Sequence, residues 1–505
     1  MDKKTFTIFF FIFSLIFTLP VWLFPLLPFV DLPQHLNFAF VLKNYSQLGY
    51  GKFYSLRLFP MHNTLHLFFN YLLSFLFPLE VSNKIYVTIS LLLFPLALLF
   101  FLKVIGGNEN FSLLGFLISY NYNLFWGFMG INLGIALTLF LIGYEIKCLK
   151  ERGKIKYLAI MVFLFSLIFL GHSLIYLFSF VTYLLLLIFI PAKGKKIYLF
   201  LPLIIPFLVF FLPWQIGQFR GEGSELQAQF KEYISPSALY NNLWDFLRRV
   251  GMKTDESYIF ILKIIFAASL LTTFYQLKKK GFGYLLSEIY RPLSFFFLVT
   301  LLFYAFFPGT YTEAVFLNER FAPLLFLLII AFLALNLKEF NHPILKYLFI
   351  IIIIYTGLNI GIRIAIFNYE AKPAKEMLLR LPEGKKLAGL IYQKRQKADL
   401  FGYDVFLHFP AYYSISKKGL VGFTFAHIRY SPIVYTDSFP LFRIDEWETW
   451  YSVFPEGWEE YDYFLVTGEP RPSDQPIIEK WRLLEKKGIW SLYEVPPEIK
   501  PPKEE

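Results

Sequence analysis

The segment Thr64-Leu-His-Leu-Phe-Phe-Asn-Tyr-Leu-Leu-Ser-Phe-Leu-Phe77 is apolar but only 14 residues long; it carries His66 and Asn70 and is ended by Pro78. An α-helix needs about 20 residues to cross about 30 Å of hydrocarbon. A 14-residue run suits a helix that lies in the membrane interface or re-enters from it. Whether this run crosses decides the side on which every later segment falls.

Around it lie eleven apolar runs suited to spans, at 5–27, 85–102, 111–126, 131–146, 157–170, 174–190, 197–214, 258–277, 292–307, 321–337 and 347–367. The first has an apolar stretch too long for a signal peptide and no small-residue cleavage site behind it. It reads as an uncleaved span, with Asp2-Lys3-Lys4 in the cytoplasm. Basic loops fall at 147–156, 193–196, 278–291 and 338–346. Lys and Arg concentrate in short cytoplasmic loops. All four loops share a side with the amino terminus only if 64–77 does not cross. Residues 31–84 then form one long external loop with two surface helices. Residues 215–257 and 308–320 are external too, and so, after an odd number of spans, is the carboxyl-terminal region.

Composition agrees with this reading. The 505 residues are 56% hydrophobic, 21% aromatic and 17% charged, with a net charge of +11. A soluble chain averages about 25% charged residues, so a soluble globular or disordered chain is excluded. A disulfide scaffold is excluded because Cys148 is the sole cysteine. Residues 1–371 hold 29 Lys/Arg and 17 Asp/Glu, whereas 372–505 hold 19 and 20. The first part is therefore a membrane domain and the second a soluble domain. The positive charge belongs to cytoplasmic loops and marks membrane orientation, so no nucleic-acid partner is expected. The expected fold is mainly α: a polytopic membrane helix bundle of about eleven spans with a C-terminal external small α/β domain. In that domain, 387–393, 419–425, 461–467 and 489–495 read as strands, and 373–380, 409–417 and 476–487 as helices. A Pro-rich charged tail starts at Pro496. Aromatics crowd 427–458 (Tyr430, Tyr435, Trp447, Trp450, Tyr451, Trp458). They suit packing against the membrane part, or stacking on sugar faces.

Four motifs could carry chemistry, and all fall on the external side. Asp31-Leu32-Pro33-Gln34-His35 follows the first span. Pro33 suits the first turn of a helix, and His35 lies one turn on, facing Asp31. Asp31 reads as a helix cap or as a reactive carboxylate. The stretch from Asn121 through Asn123, Gly127 and Gly130 to Asn132 puts three amides and two glycines around an external turn. It reads as a close-packed hairpin forming one wall of a cavity. Gly171-His172-Ser173 is the next external turn. Asn318-Glu319-Arg320-Phe321 opens the tenth span, and its Arg offers a fork of donors that suits phosphate; on the anchor reading Glu319 pairs with the neighbouring Arg or with lipid headgroups. His62 and His66 are spaced to share a metal on one helix face, without a third ligand nearby. Arg248, Arg249 and Lys253 could meet lipid phosphate. The sequence has no Walker loop, dinucleotide fingerprint, GxSxG or HExxH.

These segments, with the external loop at Asp31, its two juxtamembrane helices at about 33–48 and 64–77, the many spans and the external domain, resemble the GT-C superfamily of polytopic glycosyltransferases. That group includes protein O-mannosyltransferases, the lipid A aminoarabinose transferase and oligosaccharyltransferase catalytic subunits. Many members pair two acids in the first loop; here Leu32 follows Asp31 and the next acid is Glu80. A divalent metal is therefore left open, and no other cofactor is expected. The resemblance implies a hexosyl or pentosyl transferase, inverting, that takes its sugar from a polyprenyl-phosphate or polyprenyl-diphosphate carrier. The acceptor is a lipid, glycan or protein at the outer face of the plasma (inner) membrane. In that scheme Asp31 is the general base with His35 beside it. His172, Glu319, Arg320, Asn121 and Asn123 bind substrate, Arg320 and His172 stabilising the departing phosphate. A polysaccharide polymerase or ligase and a multi-span transporter are the competing readings. Transporters place ionisable groups near the bilayer midplane, and here Glu145, Lys263 and Arg363 lie towards span ends.

Overall fold

A computed structural model describes residues 1–151, 155–191, 196–218, 236–310, 315–338, 343–395, 400–428, 431–440 and 457–500. Seven helices are long and apolar enough to cross a membrane: Lys3–Leu23, Leu79–Ile105, Met129–Lys150, Lys196–Ile216, Glu256–Lys280, Glu319–Asn336 and Lys346–Arg380. Three shorter apolar helices, Ile155–Gly171, Ser173–Phe189 and Arg291–Phe306, run between them. These ten coincide with ten of the eleven apolar runs.

The remaining run, 111–126, is not one α-helix. It is a 3-10 helix, Glu109–Ile118, followed by the short α-helix Tyr122–Trp126, and every residue from Phe111 to Gly127 is buried. The tighter helix rises about 2 Å per residue, so few residues cover much depth. Close packing explains the choice. A Cβ at Gly115 would lie 2.7 Å from Pro95 Cα in the neighbouring helix. The segment touches protein on all sides and has no lipid-facing stripe.

The helix within 64–77 spans Leu65–Leu73 and is 9 residues long. At 1.5 Å per residue it covers about half of a bilayer core. It does not cross. Thr64 N–H donates to the Leu170 carbonyl (2.9 Å), and Ser74 O accepts from Lys43 Nζ (2.5 Å), so both of its ends meet the same end of the bundle. Leu72, Phe75, Leu76 and Phe77 are exposed, the face expected for an interfacial segment.

The two ends of the bundle differ in charge. Lys103, Lys147, Lys150 and Lys278 to Lys280 all lie in last turns of helices at one end. There they meet the negative ends of the helix dipoles. The amino terminus, beside Lys346, shares that end. The long first loop and the carboxyl-terminal region share the other. Strand β1 (Tyr54–Leu56) of the loop pairs antiparallel with a strand more than 370 residues later, Ile433–Tyr435. Tyr54 stacks on Tyr435 (5.7 Å between centroids), so that aromatic is used in packing. Trp458 likewise packs on Trp481. Tyr430, Trp447, Trp450 and Tyr451 lie outside the described residues.

The carboxyl-terminal region holds a five-stranded sheet. In chain order its strands are β2 (Lys386–Ile391), β3 (Leu420–Val421), β5 (Tyr463–Thr467), β6 (Arg482–Lys487) and β7 (Trp490–Glu494), with Ile433–Tyr435 counted as β4. The spatial order is β3-β2-β5-β7-β6; β2 is parallel to β3 and β5, and β7 is antiparallel to β5 and β6. One expected element is corrected. Of 476–487, only Gln475–Ile478 is helical, and Arg482–Lys487 is a strand. Gly488, with φ of 63°, makes the tight turn that sets Lys487 opposite Trp490. Its charged, exposed residues suit a sheet edge.

The composition change at 371 falls inside a helix, Pro343–Arg380, which continues out of the bundle. The α/β unit sits on its upper turns: Trp490 Nε1 donates to Glu370 O (2.8 Å), and Phe406 stacks on Phe367 (5.8 Å).

Candidate active site

Asp31 precedes the helix Leu32–Lys43, but its side chain makes no capping bond. The side chain is 12% exposed and faces His408 instead, with Oδ1 3.4 Å from Nε2. The Asn121–Gly127 hairpin holds the Asp31 backbone. Val30 N–H donates to Phe125 O (2.9 Å) and Asp31 N–H to Trp126 O (3.0 Å). Gly127 makes this approach possible. Its φ is 87°, and a Cβ there would lie 2.7 Å from Asp31 N. Only glycine adopts this conformation freely.

His35 packs edge-on against His66 (5.4 Å) and Phe425 (6.0 Å) and hydrogen-bonds the Gly127 carbonyl. Burial holds its pKa below the usual range, against the opposing pull of the Asp31 charge. His408 is the residue that sequence reading missed. It is fully buried, with its ring stacked on Phe423 (5.5 Å, 12° between planes). Its signal was a histidine within Phe406-Leu407-His408-Phe409-Pro410, an otherwise apolar run. A buried imidazole needs a partner, and nothing in the local sequence names Asp31.

Arg320, 6% exposed, forms the other pole. Its guanidinium lies 3.8 Å above the Phe128 ring, and Nη2 donates to Val315 O (2.8 Å). Asn123 Nδ2 donates to the Arg320 carbonyl (2.9 Å), tying this residue to the hairpin that holds Asp31. The charges of Asp31 and Arg320 interact. Asn121 is spent within the hairpin: Oδ1 accepts from Asn123 N–H (2.9 Å), and Nδ2 donates to Ile118 O (3.0 Å) and Asn132 Oδ1 (2.6 Å). Glu319 accepts from Tyr122 O–H (2.5 Å) and pairs with Arg249 (3.4 Å), not with its neighbour Arg320.

His172 stands 3.3 Å from Arg320, Nε2 to Nη1. Its Nδ1 accepts from Leu174 N–H (3.0 Å) at the start of Ser173–Phe189. A neutral imidazole that accepts at Nδ1 carries its proton on Nε2. Arginine has no acceptor. Two N–H donors therefore face each other, an arrangement that a shared anionic acceptor would satisfy. His62 packs at a tilt against His172 (5.5 Å between centroids) and edge-on against Trp214 (4.9 Å). Arg320 Nε, His62 Nδ1 and Trp214 Nε1 are buried without a hydrogen-bond partner among the described residues. Buried polar atoms of this kind call for explanation.

No protein-family model matches the chain, and no curated protein matches it. Solved structures do. The chain is similar to ArnT from Cupriavidus metallidurans in the apo state, with a TM-score of 0.50 and 9% identity, covering 93% of this chain and 94% of that one. It is similar to the arabinofuranosyltransferase AftD from Mycobacteria, with a TM-score of 0.52 and 11% identity. That match covers 98% of this chain and spans 40% of AftD. The fold is GT-C-like.

Within the GT-C-like fold the two histidines spaced for a metal part company. His62 precedes the helix Leu65–Leu73 and faces His172. His66 faces His35 and Tyr86, and its Nε2 meets Asn83 Oδ1 (2.9 Å). Beside Asp31 stands an imidazole, not a second carboxylate. Among the described residues no three His, Cys, Asp or Glu side chains gather as a metal-binding group. Two basic residues before the helix Glu256–Lys280 are engaged elsewhere: Arg248 with Glu256 (2.6 Å), and Arg249 with Asn242 (2.7 Å) as well as Glu319.

Proposed function

We propose that this chain is a glycosyltransferase that moves a sugar from a polyprenyl-phosphate-type lipid to an acceptor at the outer face of the membrane. The observation that carries the reading is the convergence of a buried carboxylate, Asp31, that makes no capping bond, with a buried cation, Arg320, whose Nε, like the nearby Trp214 Nε1, has no hydrogen-bond partner among the described residues. The GT-C-like fold supports it.

In this scheme the acceptor hydroxyl oxygen attacks the anomeric carbon. Asp31 takes the hydroxyl proton as general base. The bond from the anomeric carbon to the phosphate oxygen breaks, and its electron pair leaves with the lipid phosphate. Arg320 and the Nε2–H of His172 then stabilise the charge that grows there, in a site where burial strengthens such interactions. His408 orients Asp31, and Asn123 holds Arg320 in register with it. The donor arrives already activated, so no nucleotide-binding motif is required.

The test uses purified full-length protein in nanodiscs with radiolabelled polyprenyl-phosphate sugars. Wild type transfers label to acceptor and Asp31→Asn does not; transfer by the mutant at the wild-type rate overturns the assignment of the base. The face is tested in cells. Ser46→Cys, exposed at the site end, should react with an impermeant maleimide from outside. Lys279→Cys, at the basic end, should react only after permeabilisation. The reverse pattern overturns the outer-face assignment.

A further inference from the structure

Lys253 lies outside both poles, in surroundings unusual for a lysine. Its Nζ is 4.8 Å from the ring centre of Tyr403, 5.0 Å from Tyr122, 5.2 Å from Trp126 and 6.0 Å from Phe316. The four rings come from three distant parts of the chain: the hairpin, the turn before Glu319 and the carboxyl-terminal region. The backbone is fitted to the arrangement. Lys253 N–H donates to Phe401 O (3.3 Å), and Tyr403 O–H donates to Gly251 O (2.6 Å). Gly402 has a φ of 76°, and a Cβ there would lie 2.7 Å from Lys253 Cβ. Glu319 and Asp404 attract the ammonium, while Arg249 and Arg395 repel it. Burial lowers its pKa to about 8, so it is still largely charged at neutral pH.

The same rings reach both poles. The Trp126 carbonyl receives the Asp31 N–H (3.0 Å). The Trp126 ring stacks on Phe128 (6.1 Å, 9° between planes), and Phe128 lies 3.8 Å beneath Arg320. Phe316 follows Val315, whose carbonyl binds Arg320 Nη2. Tyr403 opens the segment that ends at His408. Ring faces attract a cation, most strongly where water is excluded. A cation at the centre therefore gives four otherwise interchangeable apolar contacts a common geometry.

We propose that Lys253 is a positioning residue: its ammonium, at the centre of the four-ring cage, holds the aromatic layer that keeps Asp31, His408 and Arg320 in register. The proposal rests on the reading of Asp31 and Arg320 as the reacting poles. Lys253 acts through the rings and does not touch the donor.

The test compares Lys253→Arg, Lys253→Met and Lys253→Ala in full-length protein in nanodiscs. One readout is hydrogen exchange of the amides at 29–32 and 401–408. The other is transfer from a radiolabelled polyprenyl-phosphate sugar. Lys253→Arg keeps the cation and should match wild type in both. Lys253→Met keeps the length without the charge; exchange in both segments should quicken about tenfold, and kcat should fall about tenfold with the donor KM unchanged. Lys253→Ala should lose as much and recover with added propylammonium, but not with propan-1-ol. Wild-type exchange in Lys253→Met overturns the proposal, as does equal rescue by the neutral alcohol. If wild type itself transfers no sugar, the reading of the poles fails while the exchange data still decide the role of Lys253.

Discussion

The Asp31 pole and the Arg320 pole share a hairpin but are built in opposite ways. Asp31 gathers its neighbours from the two ends of the chain: His35, backed by His66, from the first loop, and His408 from the carboxyl-terminal region. Its anion faces the His408 imidazole, and burial keeps His35 and His66 uncharged. Arg320 gathers His62, His172, Trp214 and Phe128 from the first loop and the middle spans. Its own Nε and the Nε1 of Trp214 have no hydrogen-bond partner among the described residues. One pole is suited to moving a proton and the other to holding an anion. A single-purpose binding site would not need both.

The largest effects should come from removing the charge at each pole, and they should differ in kind. Asp31→Asn removes the base but leaves its shape, so kcat should fall about 10²- to 10⁴-fold with donor affinity kept. Arg320→Met removes the anion partner, so affinity for the lipid donor should fall along with a loss of about 10²- to 10³-fold in kcat. Donor binding by scintillation proximity and single-turnover transfer would separate the two. Equal loss of donor binding in both variants would erase the distinction between the poles.

Acid should weaken both poles, through different histidines. Burial lowers His62 to about 4 and His66 to about 3, the latter helped by nearby His35. In an unfolded loop both would titrate near 6.5. Below that pH the unfolded state binds protons that the folded state refuses, so stability is full above about pH 7 and is lost as pH falls from about 6.5 towards 4. At pH 5 each histidine should cost about 2 kcal/mol relative to pH 8. Thermal melts of His66→Phe should show a loss about 2 kcal/mol smaller than that of wild type between those pH values. A loss unchanged in His66→Phe would place the titration elsewhere.

Much of this architecture was legible in the sequence, and the exceptions have physical causes. Length alone set 64–77 apart from the spans, and charge placed the amino terminus with the basic loops. Asp31, His172 and Arg320 were legible because polar groups beside apolar runs stand out. The 3-10 form of 109–118 was not legible. It depends on Gly115 meeting Pro95, a contact between helices. Arg482–Lys487 carries charges at helix-like spacing, and its strand pairing comes from the turn at Gly488. His408 was hidden for a similar reason, since its partner lies 377 positions earlier. What was missed is decided by pairing partners that the local pattern does not name.

The smallest predicted effects probe the hairpin itself, and they sharpen the comparison most. Gly127 and Asn123 are four residues apart, yet each serves a different pole. A methyl group at Gly127 must adopt a φ of 87° and push on Asp31 N. Gly127→Ala should cost about 1 to 2 kcal/mol and impair the Asp31 step, lowering kcat while donor binding stays near wild type. Asn123→Ala removes the bond to the Arg320 carbonyl (2.9 Å) and should cost about 1 kcal/mol. It should weaken donor binding and leave the proton-transfer step, read from the pH profile of kcat, where it was. If the poles are independent beyond their common support, the two losses should add within about 0.5 kcal/mol in the double variant. Strong non-additivity would mean that the hairpin moves as one body, so that Asp31 and Arg320 shift together and the two poles act as a single unit.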